Sequence, residues 1–183
     1  IISADTTKVL NYYPNIPCND VTDLVNKINE ERPYLQASYD GTKIDDKYYY
    51  VPFYSSSTLM FIRKDKFEEA GITKMPETWD EVFEDAKKVS DPDNDFYGLA
   101  MGCGENDDDD ENTIRQYMWN EGGYLFNEDG EIVADDKVAA VFDKYAELYK
   151  DKVIPQDATT WDAGGNNGSY LAGRTAICFN APT

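Results

Sequence analysis

The stretch YYYVPFYSSSTLMFI, residues 48–62, decides the fold. Its last part, TLMFI at 58–62, is a nearly continuous apolar run, which is typical of a strand covered on both faces, as in parallel sheets. The aromatic and hydroxyl residues before it are predicted to be extended, because Pro52 suits an edge or a bend that needs no backbone donor. Residues 48–57 therefore lead, as an extended segment, into the first strand of an α/β lobe.

Helix and strand patterns alternate after this strand, as they do in α/β folds. Further strands are predicted at 97–102 and 175–179. Helices are predicted at 64–70, from Thr78 to the Asp91-Pro92 stop, from Asn112 to the Gly122-Gly123 stop, at 136–152, and over NNGSYLAG at 166–173. Thr78 and Glu81 make a capping box, and Asn112 caps the next helix. A hairpin turn is predicted at 127–130, between YLF and EIV.

The apolar faces of two helices can be read from their spacing. For the helix at 136–152, the predicted buried face is Val138, Val141, Phe142, Tyr145, Leu148 and Tyr149. Upstream, the helix at 20–31 is predicted to bury Val21, Leu24, Val25 and Ile28 and to stop before Pro33. Residues 34–46 are either irregular or a short helix. The first 50 residues thus supply helix and loop but few strands, and belong to something other than the α/β lobe.

The composition limits the partners of this 183-residue chain. Its 17 basic and 36 acidic residues give a net charge of −19, which argues against nucleic acid and anionic membranes as partners. It favours neutral or cationic ligands. Aromatic residues make up 14%, and this high share indicates aromatic surface used for recognition.

The residue types exclude several chemistries. Histidine is absent, which removes a Ser-His-Asp triad, a Cys-His nucleophile and histidine-ligated metals. The cysteines Cys18, Cys103 and Cys178 are far apart and are predicted to be buried thiols. No apolar run is long enough to span a bilayer, and IISADTTKVL lacks the features of a signal peptide. No cofactor is expected.

Two acidic motifs resemble cation sites and are interpreted otherwise. DPDND at 91–95 begins like a calcium loop, but Phe96 and Gly102 stand where that loop needs Gly and Glu. We expect a helix stop and a turn. The acidic run from Glu105 to Glu111 is predicted to be a solvated loop, because adjacent carboxylates repel each other. A pair among the 36 acids also leaves open a carboxylate-based glycoside hydrolase or another carbohydrate-active enzyme.

Two segments combine tryptophan with polar residues in the way that a sugar requires. Trp119 and Asn120 precede a Gly-Gly helix stop, and Trp161-Asp162 precedes Asn166-Asn167. A pyranose packs its C–H face on an aromatic ring, while amides and carboxylates bind its hydroxyls. Both tryptophans are candidates either for ligand contact or for the core, whereas Trp79, beside apolar helix positions, is predicted to be core.

The order of these motifs resembles a known family. YYYVPFYSSSTLMFIRKDKFEEAGI, PETWDEVFEDAKKV, WNEGGYLF and TTWDAGGNNGSYLAGRTAICFNAP are similar to segments of the extracellular solute-binding proteins of sugar-importing ABC transporters, and in particular to the group that contains maltose-binding protein. The resemblance covers about residues 38–182. It implies a periplasmic-binding-protein-like α/β fold of two lobes. Family members are much longer, so residues 1–53 are expected to be the tail of the first lobe with the crossing strand, and 54–183 most of the second lobe.

The resemblance also implies a binding site without catalytic residues or metal ligands. By position, it assigns ligand contacts to Tyr54, Ser55, Ser56, Trp119, Asn120, Gly123, Trp161, Asp162 and Asn180. For the serines, capping of nearby backbone stays open as an alternative. The residues Asn180-Ala181-Pro182 match a usual Asn-Gly-Pro, and Thr183 stands where an aromatic residue commonly stacks on the sugar.

The function implied is capture of a sugar or oligosaccharide by hinge closure, followed by delivery to ABC permease subunits. Glycerol phosphate and other polyols are also carried within the family. A membrane is expected as a partner only through a lipid anchor outside this chain. The expected location is extracellular, as a cell-surface lipoprotein or in the periplasm, with a signal segment that this chain does not contain.

Overall fold

The computed structural model describes residues 9–54, 56–105, 108–127 and 129–182. The chain divides into two compact units, the first ending at Ser56 and the second beginning at Ser57. The boundary predicted between residues 53 and 54 lies close to this division. The assignment of the units to two lobes stays a prediction, and each unit is described by itself. Among the described residues, no helix combines the length and the apolar character needed to cross a membrane.

In the described part of the first unit, the rings of Tyr34, Tyr39 and Tyr48 lie side by side. This part includes α1 (Thr22–Glu31) and α2 (Gln36–Asp40), so the helix predicted at 20–31 is confirmed from Thr22 and residues 34–46 contain a short helix. Tyr48 is buried and its hydroxyl donates to the carbonyl of Tyr39 at 2.7 Å. Val25 is fully buried, but Leu24 is 49% exposed, so its predicted place on the buried face is wrong. Only one side of this short helix is covered within the unit.

Across its described residues, the second unit is a three-stranded sheet with helices packed on it. Its elements are β1 (Leu59–Ile62), α3 (Lys64–Glu69), α4 (Trp79–Val89), β2 (Tyr97–Ala100), α5 (Asp108–Asn120), α6 (Asp136–Lys150), α7 (Gly165–Leu171) and β3 (Thr175–Asn180), with 3-10 turns at Pro92–Asn94 and Gln156–Thr160. The strand order is β1-β3-β2, with β3 antiparallel to β1 and parallel to β2. The predicted alternation of helices and strands is therefore confirmed.

The parallel pair gives the sheet two distinct edges. Because β2 and β3 run in the same direction, both end on one side, where Ala100 pairs with Cys178 and β3 closes at Asn180. We call this side the carboxyl edge. The side on which β2 and β3 begin, at Tyr97 and Thr175, is the amino edge.

The prediction that the strand at 58–62 is covered on both faces is wrong. Among the described residues, β1 pairs only with β3, and the pairing is antiparallel. Met60 and Ile62 pack on the core, whereas Leu59 is 46% exposed. Successive side chains of a strand point to opposite faces, and on the face opposite Met60 and Ile62 only Phe61 is half-buried, with its ring centroid 6.5 Å from that of Tyr170.

The helix predicted to begin at Thr78 is confirmed. The backbone N–H of Glu81 donates to the Thr78 hydroxyl at 3.2 Å. The Glu81 carboxylate accepts from the N–H of Glu77 at 2.7 Å, and this bond holds the pKa of Glu81 below its usual value. Trp79 packs on the core, 4.9 Å from the ring of Phe179, as predicted.

The helix predicted at 136–152 is α6, and its buried face is narrower than predicted. Val138, Val141 and Leu148 are buried, but Phe142 is 47% exposed, so its predicted burial is wrong. The buried positions follow a 3.6-residue period, and Phe142 lies about 100° around the helix from Val141.

The acidic run does not form the predicted solvated loop throughout. Residues 106–107 lie outside the described residues, but α5 already begins at Asp108, and Asp110 is only 1% exposed. Asn112, predicted to be the cap, therefore lies inside the helix. Carboxylates are favourable in a first helical turn because they oppose the positive end of the helix dipole.

Two smaller predictions have mixed outcomes. The turn at 127–130 is flanked by a single bridge between Phe126 and Ile132 and by a bond from the Val133 N–H to the Leu125 carbonyl at 2.9 Å, not by extended strands. For the cysteines, Cys178 is buried and Cys103 is half-buried. Cys18 is exposed, so its predicted burial is wrong.

Candidate ligand-binding site

Four segments of the second unit meet at the carboxyl edge of the sheet. They are the residues after β2, the first turn of α5, the first turn of α7 and the end of β3, as the hydrogen bonds described below show. In open α/β sheets, ligands bind in the crevice outside the carboxyl ends of the strands. This edge is therefore where a binding site is expected.

Asp110 ties three of these segments together. One of its carboxylate oxygens accepts from the backbone N–H of Gly102 at 2.5 Å, and the other accepts from the side-chain nitrogen of Asn166 at 3.1 Å. Asn166 is 0% exposed and Asp110 is 1% exposed. A buried carboxylate with fixed amide donors is stable only in one geometry, so it sets the positions of α5 and α7 relative to β2.

Asn180 connects the end of β3 to the same group. Its side-chain nitrogen donates to Asp109 Oδ2 at 3.2 Å, to Asn166 Oδ1 at 3.5 Å and to Asn167 Oδ1. Its side-chain oxygen accepts from the N–H of Ala181 at 2.7 Å. These contacts turn the nitrogen of Asn180 toward the carboxylate and amide oxygens. We call Asp109, Asp110, Asn166, Asn167 and Asn180 the amide-carboxylate cluster.

The cluster places negative charge next to the core. Burial, together with the neighbouring carboxylates of Asp110 and Asp109, raises the pKa of the Cys178 thiol to about 12. Cys178 lies on β3, two residues before Asn180. The negative potential at the carboxyl edge therefore extends into the end of the sheet.

Trp161 is fixed beside the start of α7. A Cβ on Gly104 would lie 2.0 Å from the Trp161 carbonyl oxygen, and a Cβ on Gly165 would lie 2.4 Å from Trp161 Cβ. Only glycine allows this approach at either position. Trp161 is half-buried on the core, and the exposed Asp162 accepts from the N–H of Gly164 at 3.0 Å. The Trp161-Asp162 segment is therefore held directly before Asn166 and Asn167.

The other predicted contacts of the second unit lie at the far end of α5. Trp119 is 50% exposed, with the Arg115 guanidinium 5.9 Å from its ring centroid, and Asn120 is exposed. Gly123 is buried, and a Cβ there would lie 3.2 Å from Met118 Cγ. At 1.5 Å per residue, roughly 16 Å of helix separates Asn120 from Asp109. The structure does not bring this group together with Asn180.

The predicted contacts in the first unit are only partly described. Tyr54 is 60% exposed and Ser56 is exposed, while Ser55 lies outside the described residues. Their role in ligand binding stays a prediction, as does that of Trp119, Asn120 and Gly123.

Sequence reasoning missed the carboxylates of the cluster. The acidic run that contains Asp109 and Asp110 predicts a solvated loop, although the sequence also carries a helical signal. Asp110 stands four residues before Ile114 and seven before Tyr117, on the face that α5 packs against the core. Among the described residues, no group of three or more Cys, Asp or Glu side chains could hold a metal ion.

Comparison with known proteins identifies the class. A family model for bacterial extracellular solute-binding proteins matches residues 18–183. The chain therefore belongs to this family, and the resemblance seen in the sequence is confirmed. The family is one of binding proteins and not of enzymes, so nothing supports the glycoside-hydrolase alternative.

Individual relatives agree with this family. The chain is 37% identical over 78 residues, 39% of its length and 18% of the relative's, to the mannitol-binding protein of Pseudomonas aeruginosa. It is 44% identical over 52 residues, 27% of its length and 11% of the relative's, to the sn-glycerol-3-phosphate-binding periplasmic protein of Brucella abortus.

A solved structure agrees with the fold. The ABC transporter solute-binding protein of Thermotoga lettingae, bound to α-D-tagatose, superposes with a TM-score of 0.83 at 19% identity, over 95% of this chain and 45% of that one. The predicted periplasmic-binding-protein-like α/β fold is thus confirmed. The chain spans less than half the length of each of these three proteins.

Proposed function

We propose that this protein is the substrate-binding component of an ABC importer that captures a sugar or polyol and delivers it to permease subunits. The observation that carries the proposal is the amide-carboxylate cluster at the carboxyl edge of a chain that belongs to the solute-binding family. The relatives described above bind mannitol, glycerol phosphate and tagatose. The family is described as extracellular, and we infer a periplasmic or lipid-anchored location.

The cluster supplies the hydrogen-bonding groups that a polyhydroxylated ligand requires. Carboxylate oxygens such as those of Asp109 accept from hydroxyl groups, and an amide such as Asn167 both donates and accepts. Trp161, held beside the cluster, offers an aromatic surface to the C–H face of a sugar. A few fixed polar groups next to an apolar surface are typical of small-molecule sites.

The remaining predicted contacts enter the proposal as extensions of this site. We propose that Asp162 borders it and that Tyr54, Ser55 and Ser56 contribute from the preceding segment. Asn120 lies roughly 16 Å along α5 from Asp109, and Trp119 and Gly123 lie near Asn120 in the chain. These three residues would therefore contact an oligosaccharide and not a single sugar ring.

Calorimetry on the longest natural chain that contains these residues tests the proposal. We expect at least one neutral sugar or polyol from a panel including mannitol, maltose and tagatose to bind with a dissociation constant of about 10 μM or lower, in the presence of EDTA. The ligand should be recovered unchanged by chromatography. Absence of binding by every compound contradicts the proposal, and release of a smaller sugar indicates hydrolysis instead.

The segment before β1 has its own test. Substitution of Tyr54 and Ser56 by alanine in that chain should weaken binding without lowering the midpoint of thermal unfolding, because both side chains are exposed. If the affinity stays the same, these residues do not contact the ligand.

A further inference from the structure

Residues 102–104 lie just after β2 and contact both parts of the proposed site. At one end, the N–H of Gly102 donates to the Asp110 carboxylate at 2.5 Å. At the other end, Gly104 lies so close to Trp161 that a Cβ on the glycine would be 2.0 Å from the tryptophan carbonyl oxygen. This segment therefore links the amide-carboxylate cluster to the aromatic side chain that is proposed to face the sugar.

A shared acceptor makes the link to Trp161 direct. The carbonyl oxygen of Ala158 accepts from the N–H of Cys103 at 2.9 Å and from the N–H of Trp161 at 3.3 Å. Ala158 is fully buried in the core, where close packing holds its backbone in place. A shift of the segment at Cys103 therefore disturbs a bond that it shares with Trp161.

The carbonyl side of the segment is held by Tyr145, from α6. The Tyr145 hydroxyl donates to the Gly102 carbonyl, and the Cys103 thiol donates to the same hydroxyl at 3.5 Å. Gly102 is buried, so both polar groups of its backbone need partners. Because Asp110 accepts from its N–H and Tyr145 donates to its carbonyl, the peptide units on both sides of Gly102 are fixed.

Packing alone does not account for a tyrosine at position 145. The ring of Tyr145 packs on the core from the apolar face of α6, a task that phenylalanine performs equally well. The hydroxyl adds a bond to a different segment, 43 residues earlier in the chain. The hydroxyl therefore connects α6 to the carboxyl edge, where the ligand is proposed to bind.

We propose that Tyr145 is a positioning residue of the binding site, which acts through residues 102–104 to hold Trp161 and the amide-carboxylate cluster in the geometry that a sugar or polyol needs. The inference rests on the proposed function and deepens it, because Tyr145 is not among the residues predicted to contact the ligand. Binding groups keep their affinity only while the residues behind them hold them within a fraction of an ångström.

Tyr149 provides a matched control on the same helix. Like Tyr145, it is half-buried, packs on the core and donates from its hydroxyl to a backbone carbonyl, that of Gln156 at 2.9 Å. Loss of that hydroxyl leaves Gln156 tied to α6, because its side-chain nitrogen also donates to the Tyr149 carbonyl at 2.8 Å. Tyr149→Phe thus removes a bond of the same kind without releasing the segment that it contacts.

Calorimetry on the longest natural chain tests the inference, with mannitol, maltose and tagatose as probes. For a probe that binds, Tyr145→Phe should raise the dissociation constant about tenfold, because the ring still packs but the Gly102 carbonyl loses its donor. Tyr149→Phe should change it less than about twofold. Each variant should lower the midpoint of thermal unfolding by no more than about 4 °C, so both are folded when binding is measured at about 20 °C.

The inference alone is overturned if Tyr145→Phe binds the probe as tightly as wild type, or if Tyr149→Phe weakens binding as much as Tyr145→Phe. If Tyr145→Phe does not fold, hydrogen exchange in the wild-type protein decides. The bound probe should slow exchange of the Gly102 and Cys103 amide hydrogens at least about tenfold, and an unchanged rate overturns the inference. If the wild-type protein binds no probe, the proposed function fails and the inference falls with it.

Discussion

The two edges of the β2–β3 pair hold carboxylates in different ways. At the amino edge, the Arg174 guanidinium donates to both oxygens of Asp95 at 3.0 Å and to both oxygens of Asp157 at 3.1 and 3.4 Å. At the carboxyl edge, Asp109 and Asp110 accept hydrogen bonds from neutral amide groups.

This difference separates a structural role from a binding role. Arg174 lowers the pKa of Asp95 and of Asp157, chiefly through hydrogen bonds, and neutralises charge within the protein. At the carboxyl edge, amides orient the carboxylates of the cluster. We infer that the amino edge stabilises the fold, whereas the carboxyl edge presents fixed polar groups to a ligand.

The largest expected effect comes from substitution of Gly165, which packs closely against Trp161. In Gly165→Ala, the new Cβ would lie 2.4 Å from Trp161 Cβ, so either α7 or the tryptophan must move. We expect a loss of about 3 kcal/mol in the free energy of unfolding, measured by urea denaturation, together with weaker ligand binding. The control is Gly168→Ala in the same helix, where nothing lies within 4 Å of the new Cβ. It should stabilise the protein by about 0.5–1 kcal/mol, and equal effects of the two substitutions would contradict this packing.

A smaller loss is expected for Asp110→Ala. The substitution leaves the N–H of Gly102 and the amide of Asn166 without this buried acceptor, which should cost about 2 kcal/mol of unfolding free energy. Asp143→Ala, at an exposed position on α6, should change it by less than about 0.5 kcal/mol. If Asp110→Ala behaves like Asp143→Ala in denaturant, the cluster does not hold the carboxyl edge together.

Arg174→Met should destabilise the protein by about 1 kcal/mol at pH 7, because the ion pairs it removes are partly exposed. The folded pKa values of Asp95 and Asp157 are lowered, so their stabilisation is present above the unfolded value of about 3.9 and is lost as pH falls through the lower folded values. The difference between the variant and wild type should therefore shrink below about pH 3. Ligand affinity should not change, and a tenfold loss would show that the amino edge also serves binding.

Local signals in the sequence predicted the elements of the second unit well. The Thr78 cap, the Gly173 helix stop and the buried strand that ends at Ala100 all depend on neighbouring residues. The error at β1 has a different origin. An apolar run does not reveal how many strands will pair beside it, because pairing with β3 joins residues more than a hundred positions apart.

Only part of the candidate site could be predicted, because contacts between residues far apart in the chain again cannot be read from the sequence. Asn180 and Trp161 were named because their motifs resemble a known family. Asp109 and Asp110 were missed because an acidic run normally indicates solvated chain, and only the approach of Asn166 and Asn180 gives these carboxylates fixed partners. The helical spacing of Asp110, Ile114 and Tyr117 indicates which face of α5 the carboxylate lies on, but not which amides approach it.

The central claim, that the ligand binds at the carboxyl edge, is tested most directly by calorimetry on two matched asparagine variants. Asn167 lies in the cluster and Asn120 at the opposite end of α5, and both are exposed. For a polyol or monosaccharide, Asn167→Ala in the longest natural chain should raise the dissociation constant at least about tenfold, and Asn120→Ala should change it less than about twofold. An unchanged dissociation constant in Asn167→Ala, with a tenfold rise in Asn120→Ala, would contradict the account.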